Sequence, residues 1–425
     1  MTGLEELNRM VLLCRDYVAD ELSDAEICHA FRNVKVLCVS DADNLSTNAG
    51  QTALATLVSL ISRMGMQVSL EVPDVPVLFC QTPFTGSGLR TALLAASAKL
   101  VSCSKIDMVS GADFDVVFVL GNTRFSPEGA HGWRLAGTEW SGEITPLGAK
   151  TAPWSTNWAV GAMVSAALGA SEAFKFVIRG LPLRSRGDMI FFESSTACNW
   201  TFGECPIPES TLDIGTVDFI SAGAISQSAI YVLARIPGLE LAGRIFDDDF
   251  TAPSNLNRNL LSLTSDVGAA KVKVVAHRCG ALRITPIFSR YTKQIVCDQI
   301  ASRVLVGVDD IPSRWEVQRQ WPDWLAVGGT SHFNVSSSSH RPGHACAGCL
   351  HPLDDDGMDV RIPTVSFVSF WAGLSMAVRL LREALNRPYG IERQHLWITP
   401  LRMDMPHAAM WLPIAVQARC PVRCS

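Results

Sequence analysis

At 425 residues the chain is too long for one ordinary domain, and its length predicts two or three. Apolar residues make up 48% of it, enough for sizeable cores, while 36 lysines and arginines against 41 aspartates and glutamates leave a slightly acidic, interspersed balance. That balance argues against nucleic acid as the main partner, which would favour a basic face.

Residues 1–26 mix charges and hold no long apolar run, so no secretion signal is expected. The longest apolar helix candidate, residues 365–381, is broken by serines and is too short for a convincing membrane span. The expectation is a cytoplasmic chain with no membrane partner. An odd count of thirteen cysteines without a signal argues against a disulfide framework. The isolated Cys38, Cys80 and Cys297 read as small buried hydrophobes.

In chain order, a helix over 4–22 precedes an apolar strand at 34–40, a helix at 50–64 and a strand at 67–72. The run DVVFVL at 115–120 has the continuous apolar character of a buried parallel strand. A helix over 157–177 is rich in small residues suited to close packing. Residues 181–216, rich in Pro, Ser, Cys and Arg, read as a connection. The second half alternates more clearly: strands at 217–222, 239–246, 282–288, 303–308 and 324–328, and helices at 225–236, 268–278 and 363–385. This alternation predicts an α/β fold of two Rossmann-like, doubly wound units with parallel sheets. The boundaries read as 1–180, a connection at 181–216, and 217–425. The first unit lacks a glycine turn where one belongs: after its first strand the chain reads Ser40-Asp41-Ala42-Asp43-Asn44.

The second unit carries the chemistry. Ser221-Ala222-Gly223-Ala224-Ile225-Ser226 stands where a G-x-G-x-x-G turn would. Only the central glycine is kept, the position where backbone approaches phosphate most closely. Alone, an ordinary βα turn explains it as well. Asp247 ends the next strand, where an acid accepts bonds from ribose hydroxyls. Asp249, Ser254-Asn255-Leu256-Asn257-Arg258 and Lys271 follow, and the cations suit a polyphosphate and a leaving pyrophosphate. Asp309, beside Asp310, is a hard oxygen ligand suited to Mg²⁺; the bland alternative is a helix N-cap before Ile311-Pro312.

In this order and spacing the residues resemble the E1-like, ThiF/MoeB-type activating enzymes, and the resemblance covers roughly 217–425. Arg314, five positions after Asp309, fits as well. The resemblance implies the ThiF/MoeB-type adenylation fold and ATP–Mg²⁺-dependent adenylation of the C-terminal carboxylate of a ubiquitin-like or sulfur-carrier protein. It also implies that Asp247 holds the ribose, that Asn255, Arg258 and Lys271 hold phosphates, and that Asp309 holds Mg²⁺. The first half resembles the inactive partner domain of two-domain members. In the family an arginine near the partner copy's N-terminus reaches the phosphates, which leaves Arg9 and Arg15 as candidates.

Cys346-Ala-Gly-Cys349 and Cys420-Pro-Val-Arg-Cys424 are two close pairs that together would make a tetrahedral structural Zn²⁺ site; the family carries such a site at these places. His344 and His351 flank the first pair as less favoured substitutes. Related enzymes place a thioester cysteine in the loop before the long helix near residue 363, yet residues 351–361 contain none. Cys198 and Cys205, exposed by composition, are the remaining candidates, and no thioester is the preferred reading. The leading function is E1-like activation of a ubiquitin-like protein, conjugated through a partner such as an E2-like protein. Sulfur-carrier adenylation is the alternative, followed by an NAD-dependent oxidoreductase or a nucleotide-binding pseudoenzyme, the last motivated by Ser221 and Ser226.

Overall fold

The computed structural model describes residues 3–423 apart from 112, 127–128, 293–298 and 353–362. Among these, strands β1 (Lys35–Val39), β2 (Gln67–Glu71), β3 (Lys105–Met108), β4 (Val116–Leu120), β5 (Gly132–Gly137), β6 (Ser141–Pro146) and β7 (Cys198–Thr201) form one sheet in the order β3-β2-β1-β4-β5-β6-β7. Strands β8 (Leu212–Ile220), β9 (Leu239–Phe246), β10 (Ile284–Ile287), β11 (Arg303–Val306), β12 (Trp324–Ser331), β13 (Asn334–His340), β14 (His395–Ile398) and β15 (Ala409–Leu412) form a second, β10-β9-β8-β11-β12-β13-β14-β15. The two orders match strand for strand over the first seven places, so the internal repeat is real. Each is a Rossmann-like unit in which five strands run parallel. Antiparallel strands then extend each sheet, β6–β7 in the first and β13–β15 in the second, so the sheets are mixed rather than wholly parallel.

The helices are α1 (Gly3–Arg15), α2 (Asp24–Asn33), α3 (Asn48–Ser62), α4 (Leu89–Leu94), α5 (Val160–Arg179), α6 (Arg186–Phe191), α7 (Ala224–Leu233), α8 (Lys271–Arg278), α9 (Ile311–Gln318), α10 (Ala347–Leu350) and α11 (Ser366–Ala384). The helix expected over 4–22 ends at Arg15, and a second one starts only at Asp24. Ser23 accepts the Glu26 backbone N–H while the Glu26 carboxylate accepts the Ser23 N–H at 2.7 Å, and this capping box starts α2 separately. The stretch 181–216 is more than a connection: it holds α6, it supplies the last strand of the first sheet, and β8 begins within it at Leu212.

Helix α5 is the one described helix apolar and long enough to cross a membrane, and 94% of that stretch is buried inside the protein. One apolar core runs through both units, joining Leu57 and Val58 of α3, Phe174 of α5, Tyr231 of α7 and Phe367, Phe370 and Trp371 of α11. Burying each such side chain contributes roughly 1.5–3 kcal/mol. A fully buried pair, Lys175 Nζ to Glu172 Oε1 at 2.5 Å, also spans the join: the ammonium donates to Ser195 Oγ at 2.9 Å and to the Leu401 carbonyl at 3.0 Å. Removing one partner would strand a buried charge, a loss of about 3–5 kcal/mol.

Candidate functional site

The carboxyl ends of β8, β9, β11 and β12 open into a cleft of about 580 Å³. It is lined by Gly223, Asp247, Asp249, Asn255, Arg258, Lys271 and Asp309, so the structure brings every residue singled out for nucleotide chemistry to one place. Ligands of open α/β sheets bind at this edge. The first unit enters the same cleft through Arg9 of α1, and Arg314 of α9 lines it too. Arg15 does not reach it. Its guanidinium pairs with Asp24 at 2.5 Å and donates to the Leu22 carbonyl, holding α1 to α2.

The turn after β8 works with a serine where the first glycine of such turns usually stands. Ser221 adopts a left-handed φ of +87°. Its hydroxyl accepts the Gly223 N–H at 2.9 Å and donates to Asp247 Oδ2 at 3.3 Å. The same Asp247 oxygen accepts the Ala222 N–H at 2.7 Å, and Oδ1 accepts the Asp249 N–H at 2.8 Å. The acid at the end of β9 thus braces the turn. Ser226, the second departure from the glycine pattern, is fully buried with its hydroxyl unpartnered. It lies against Gly307, where any Cβ would fall 2.5 Å from Ser226 Oγ. Gly307 is therefore required by close approach, a role the sequence spacing did not reveal.

The cations differ in their bonding. Lys271, at the first turn of α8, donates to Asp249 Oδ2 at 2.6 Å. Arg258 donates to the Ser254 carbonyl and to Asn257 Oδ1. Burial, with Arg9 close by, pushes Arg258 down to about 9, while Asp309 pulls the other way. Burial likewise takes Arg314 down to about 10 against the pull of Asp309 and Asp310. Both arginines stay cationic at neutral pH. Four cations, Arg9, Arg258, Lys271 and Arg314, line the cleft against three carboxylates, Asp247, Asp249 and Asp309, a small positive excess that favours an anion. Asn255 Oδ1 accepts the Ala252 N–H at 2.9 Å, fixing the start of the loop. Asn259 is 1% exposed, lines the cleft and has no partner for its amide Nδ2. A buried donor without a partner is costly, and an oxygen-rich ligand would satisfy it.

Asp309 and Asp310 divide two roles. Asp310 Oδ2 accepts the Ser313 N–H at 2.7 Å and caps α9. The cap explanation therefore belongs to Asp310, and the exposed Asp309 lines the cleft. A neighbouring hollow of about 250 Å³ shares Ser221, Asp247, Asp249 and Asp309 and is walled by Phe246 and Tyr291. Away from the turn, the cleft follows polar positions of the antiparallel strands: Thr330, Ser331, Asn334, Ser336, His395 and Trp397. Ser336 Oγ and His395 Nε2 lie 2.8 Å apart, and burial lowers the His395 pKa to about 4. Sequence reasoning did not find these residues: Thr330 and Ser331 extend a strand it ended at residue 328, and the others fall on β13 and β14, which it did not predict.

The first unit's equivalent of this turn is filled. Asn44 has no exposure, and its amide Nδ2 donates to Asp41, Asn122 and Thr123 side chains at 3.0–3.1 Å. Its Oδ1 accepts the Trp154 N–H at 3.2 Å. Gly121, at φ +51°, gives Asn44 its space, since a Cβ there would lie 2.0 Å from Asn44 Oδ1.

The thiols of Cys346, Cys349 and Cys420 lie within 4.8 Å of one another, with Cys346 3.9 Å from Cys349 and 3.3 Å from Cys420. Thiolates on one tetrahedral Zn²⁺ are about 3.8 Å apart, so this donor set fits that ion. The Gln417 N–H points at Cys349 Sγ at 3.4 Å, and Arg319 holds the Pro421 carbonyl at 2.9 Å. Cys424 and Cys297 lie outside the described residues. His351 turns to the cleft, with Nε2 3.0 Å from Arg314 Nη1.

The expected exposure of Cys198 and Cys205 is corrected: each is 7% exposed. Cys198 belongs to β7 and Cys205 sits beneath Trp140, whose indole donates to the Cys205 carbonyl at 2.6 Å. Burial raises both thiols, the opposite of what an acyl-accepting thiolate needs. The composition of 181–216 misled because its polar residues surround two strand-linked cysteines rather than expose them. Cys38 is fully buried as expected, whereas Cys80 is only partly so. The cysteine-free loop read over 351–361 lies, from 353 on, outside the described residues.

Residues 35–188 match the family described as BilD N-terminal domain. The chain is 26% identical over 333 residues to "Uncharacterized protein y4jF" of Sinorhizobium fredii (strain NBRC 101917 / NGR234), covering 75% of this chain and 60% of that protein. Among solved structures it is similar to E. coli MccB with succinimide and to E. coli MccB with MccA-N7isoASN. In each case identity is 15% and TM-score 0.40, over 49% of this chain and 66% of that one. It is also similar to PaaA, at 14% identity and a TM-score of 0.36, over 47% of this chain and 64% of that one. The chain thus spans less than two thirds of the length of each of these relatives.

Proposed function

We propose that this chain is an E1-like adenylyltransferase that activates the C-terminal carboxylate of a ubiquitin-like protein with ATP, for transfer through a partner such as an E2-like protein. The observation that carries this reading is the convergence of Gly223, Asp247, Asn255, Arg258, Lys271 and Asp309 on one cleft, with Arg9 arriving from the other unit. A dehydrogenase would leave this cluster of cations without a task. In the proposed reaction a carboxylate oxygen bonds to the α-phosphorus as the bond from that phosphorus to the bridging oxygen breaks, and pyrophosphate departs. Arg258, Lys271 and Arg9 neutralise the charge that builds on the departing oxygens, and Asn255 and Asn259 orient the phosphates by donating to them. Asp247 holds the ribose, with the hollow beside Tyr291 for the base. Asp309 would hold Mg²⁺, which screens phosphate charge when bound. The polar positions on β12–β14 suit an extended chain terminus laid toward the phosphates. The protein is read as cytoplasmic, and sulfur-carrier adenylation uses the same first step.

Two results are expected. Exchange of labelled pyrophosphate into ATP should require both the carrier and Mg²⁺, and Arg9→Ala should lower it by about tenfold or more, the scale of losing one charge-assisted contact. Arg15→Ala should leave it within about twofold, since that guanidinium is spent on Asp24. Equal losses in both variants would remove Arg9 from the site. The second result concerns the acyl acceptor. Incubation with ATP and carrier should give carrier adenylate and no reductant-sensitive band on this chain, because Cys198 and Cys205 are buried thiols. A band abolished by Cys198→Ala or Cys205→Ala would make this chain a complete thioester-forming enzyme and overturn that reading.

A further inference from the structure

Each unit's helix between its first two strands in sequence is followed by an arginine with no exposure to solvent. Arg63 caps α3 and Arg235 lies just past the cap of α7. The two helices hold equivalent places in the repeat and meet where Thr56 Oγ1 and Tyr231 OH lie 3.0 Å apart. From there each guanidinium leaves its own unit. Arg235 Nη2 donates to the Thr82 carbonyl of the first unit at 2.6 Å. Arg63 crosses the other way. Its Nη1 donates to the Leu256 carbonyl, and its Nη2 donates to the Leu260 and Ser262 carbonyls at 2.9 and 2.8 Å. Both targets lie in the segment that follows the second strand of a unit, β2 or β9. The exchange is reciprocal, but the destinations differ in chemistry. The segment held by Arg63 carries Asn255, Arg258 and Asn259, which line the cleft, and none of the cleft's residues is in the segment held by Arg235.

We propose that Arg63 is a positioning residue for nucleotide binding: from the first unit it fixes the backbone of the second unit's phosphate-facing loop, so that Asn255, Arg258 and Asn259 are aimed before ligand arrives. This rests on the adenylation reading and deepens it. One planar fork holds three carbonyls on both sides of Asn257, Arg258 and Asn259, so the loop between is fixed at both ends. The three side chains then need little reordering on binding, which is where pre-organisation gains affinity. A buried cation is a costly way to fill space, and an apolar side chain of similar volume would pack the same gap. Arg235 supplies the control, since it is equally buried, crosses the same join and touches nothing in the cleft.

The test compares Arg63→Lys and Arg63→Met with Arg235→Lys in the full chain, at a temperature where circular dichroism shows each variant folded. Hydrogen exchange read by mass spectrometry follows residues 256–262 without ligand, and titration calorimetry follows Mg²⁺–ATP. Both Arg63 variants are expected to speed exchange in that segment by about tenfold and to weaken ATP binding by about ten- to hundredfold. Arg235→Lys is expected to leave both within about twofold. If Arg63→Met fails to fold, Arg63→Lys carries the comparison, because it keeps the charge. Equal weakening by Arg63→Lys and Arg235→Lys overturns the proposal, as does unchanged exchange in the Arg63 variants. An unmodified protein that binds no ATP overturns the adenylation reading and this proposal together. ATP binding by the unmodified protein that is retained in the Arg63 variants overturns the positioning role alone.

Discussion

Arg258→Ala is expected to lower pyrophosphate exchange into ATP by about 100-fold or more, the range seen when a group that stabilises transition-state charge is removed from a low-dielectric site. The expectation comes from where the guanidinium sits. Its Nη1 donates to the Ser254 carbonyl and to Asn257 Oδ1, it is pressed toward the neutral form by burial and by Arg9, and Asp309 pulls the other way. A cation held against its own electrostatics is poised to gain from an incoming anion. Asp309→Ala is expected to cost as much, because its carboxylate is exposed in the cleft while Asp310 takes the helix cap. Lys273→Ala, an exposed lysine two residues past Lys271, is the control and should have little effect. Near-normal exchange in both Arg258→Ala and Asp309→Ala would sink the assignment of these residues.

The second large effect concerns the carboxyl end of the chain. Freshly reduced protein is expected to carry about one Zn²⁺ per chain. Cys420→Ser is expected to release it and to lower Tm by roughly 5–10 °C, the shift that a few kcal/mol produces in a domain of this size. Among the described residues, the last turn is tied down by the thiols, a small cluster of Ala345, Val422, Trp315 and Ile414, and an arginine bond to Pro421. Metal affinity here would be folding energy. Metal analysis that finds no zinc in reduced, chelator-free protein would refute the site, whatever the stability of the variant.

What was legible in the sequence had a physical carrier that acts locally. The continuous apolar run of β4 announces a parallel strand buried on both faces, and it is there; β8, β9 and β11, read from the alternation of strands with helices, are there as well. Spacing likewise collected Asp247, Asn255, Arg258, Lys271 and Asp309, because a turn, a strand end and a helix start fix their directions. Strand β13 was illegible for the opposite reason. It reads NVSSSSH, with too little apolar character to announce a strand. Its stability comes from far away: Arg379 of α11 donates to the Ser337 and Ser339 hydroxyls and to the Ser337 carbonyl. Asn259 stands in the same run as Arg258, yet only its burial without a partner marks it out. Arg9 and Arg15 are indistinguishable in sequence, and only the folded chain separates them, by binding Arg15 to Asp24 and the Leu22 carbonyl.

The filled turn at Asn44 has a consequence for how such a chain can change over generations. In an assembly of identical copies every substitution strikes all sites at once, so no site can be given up without losing the activity. A fused chain frees one half from that constraint. In the first unit the turn is spent on structure: an asparagine bonded to Asp41, Asn122, Thr123 and Trp154 holds those segments together. Placing glycines at residues 40–44 would therefore not open a cleft in the first unit. It would remove a keystone and cost that unit stability.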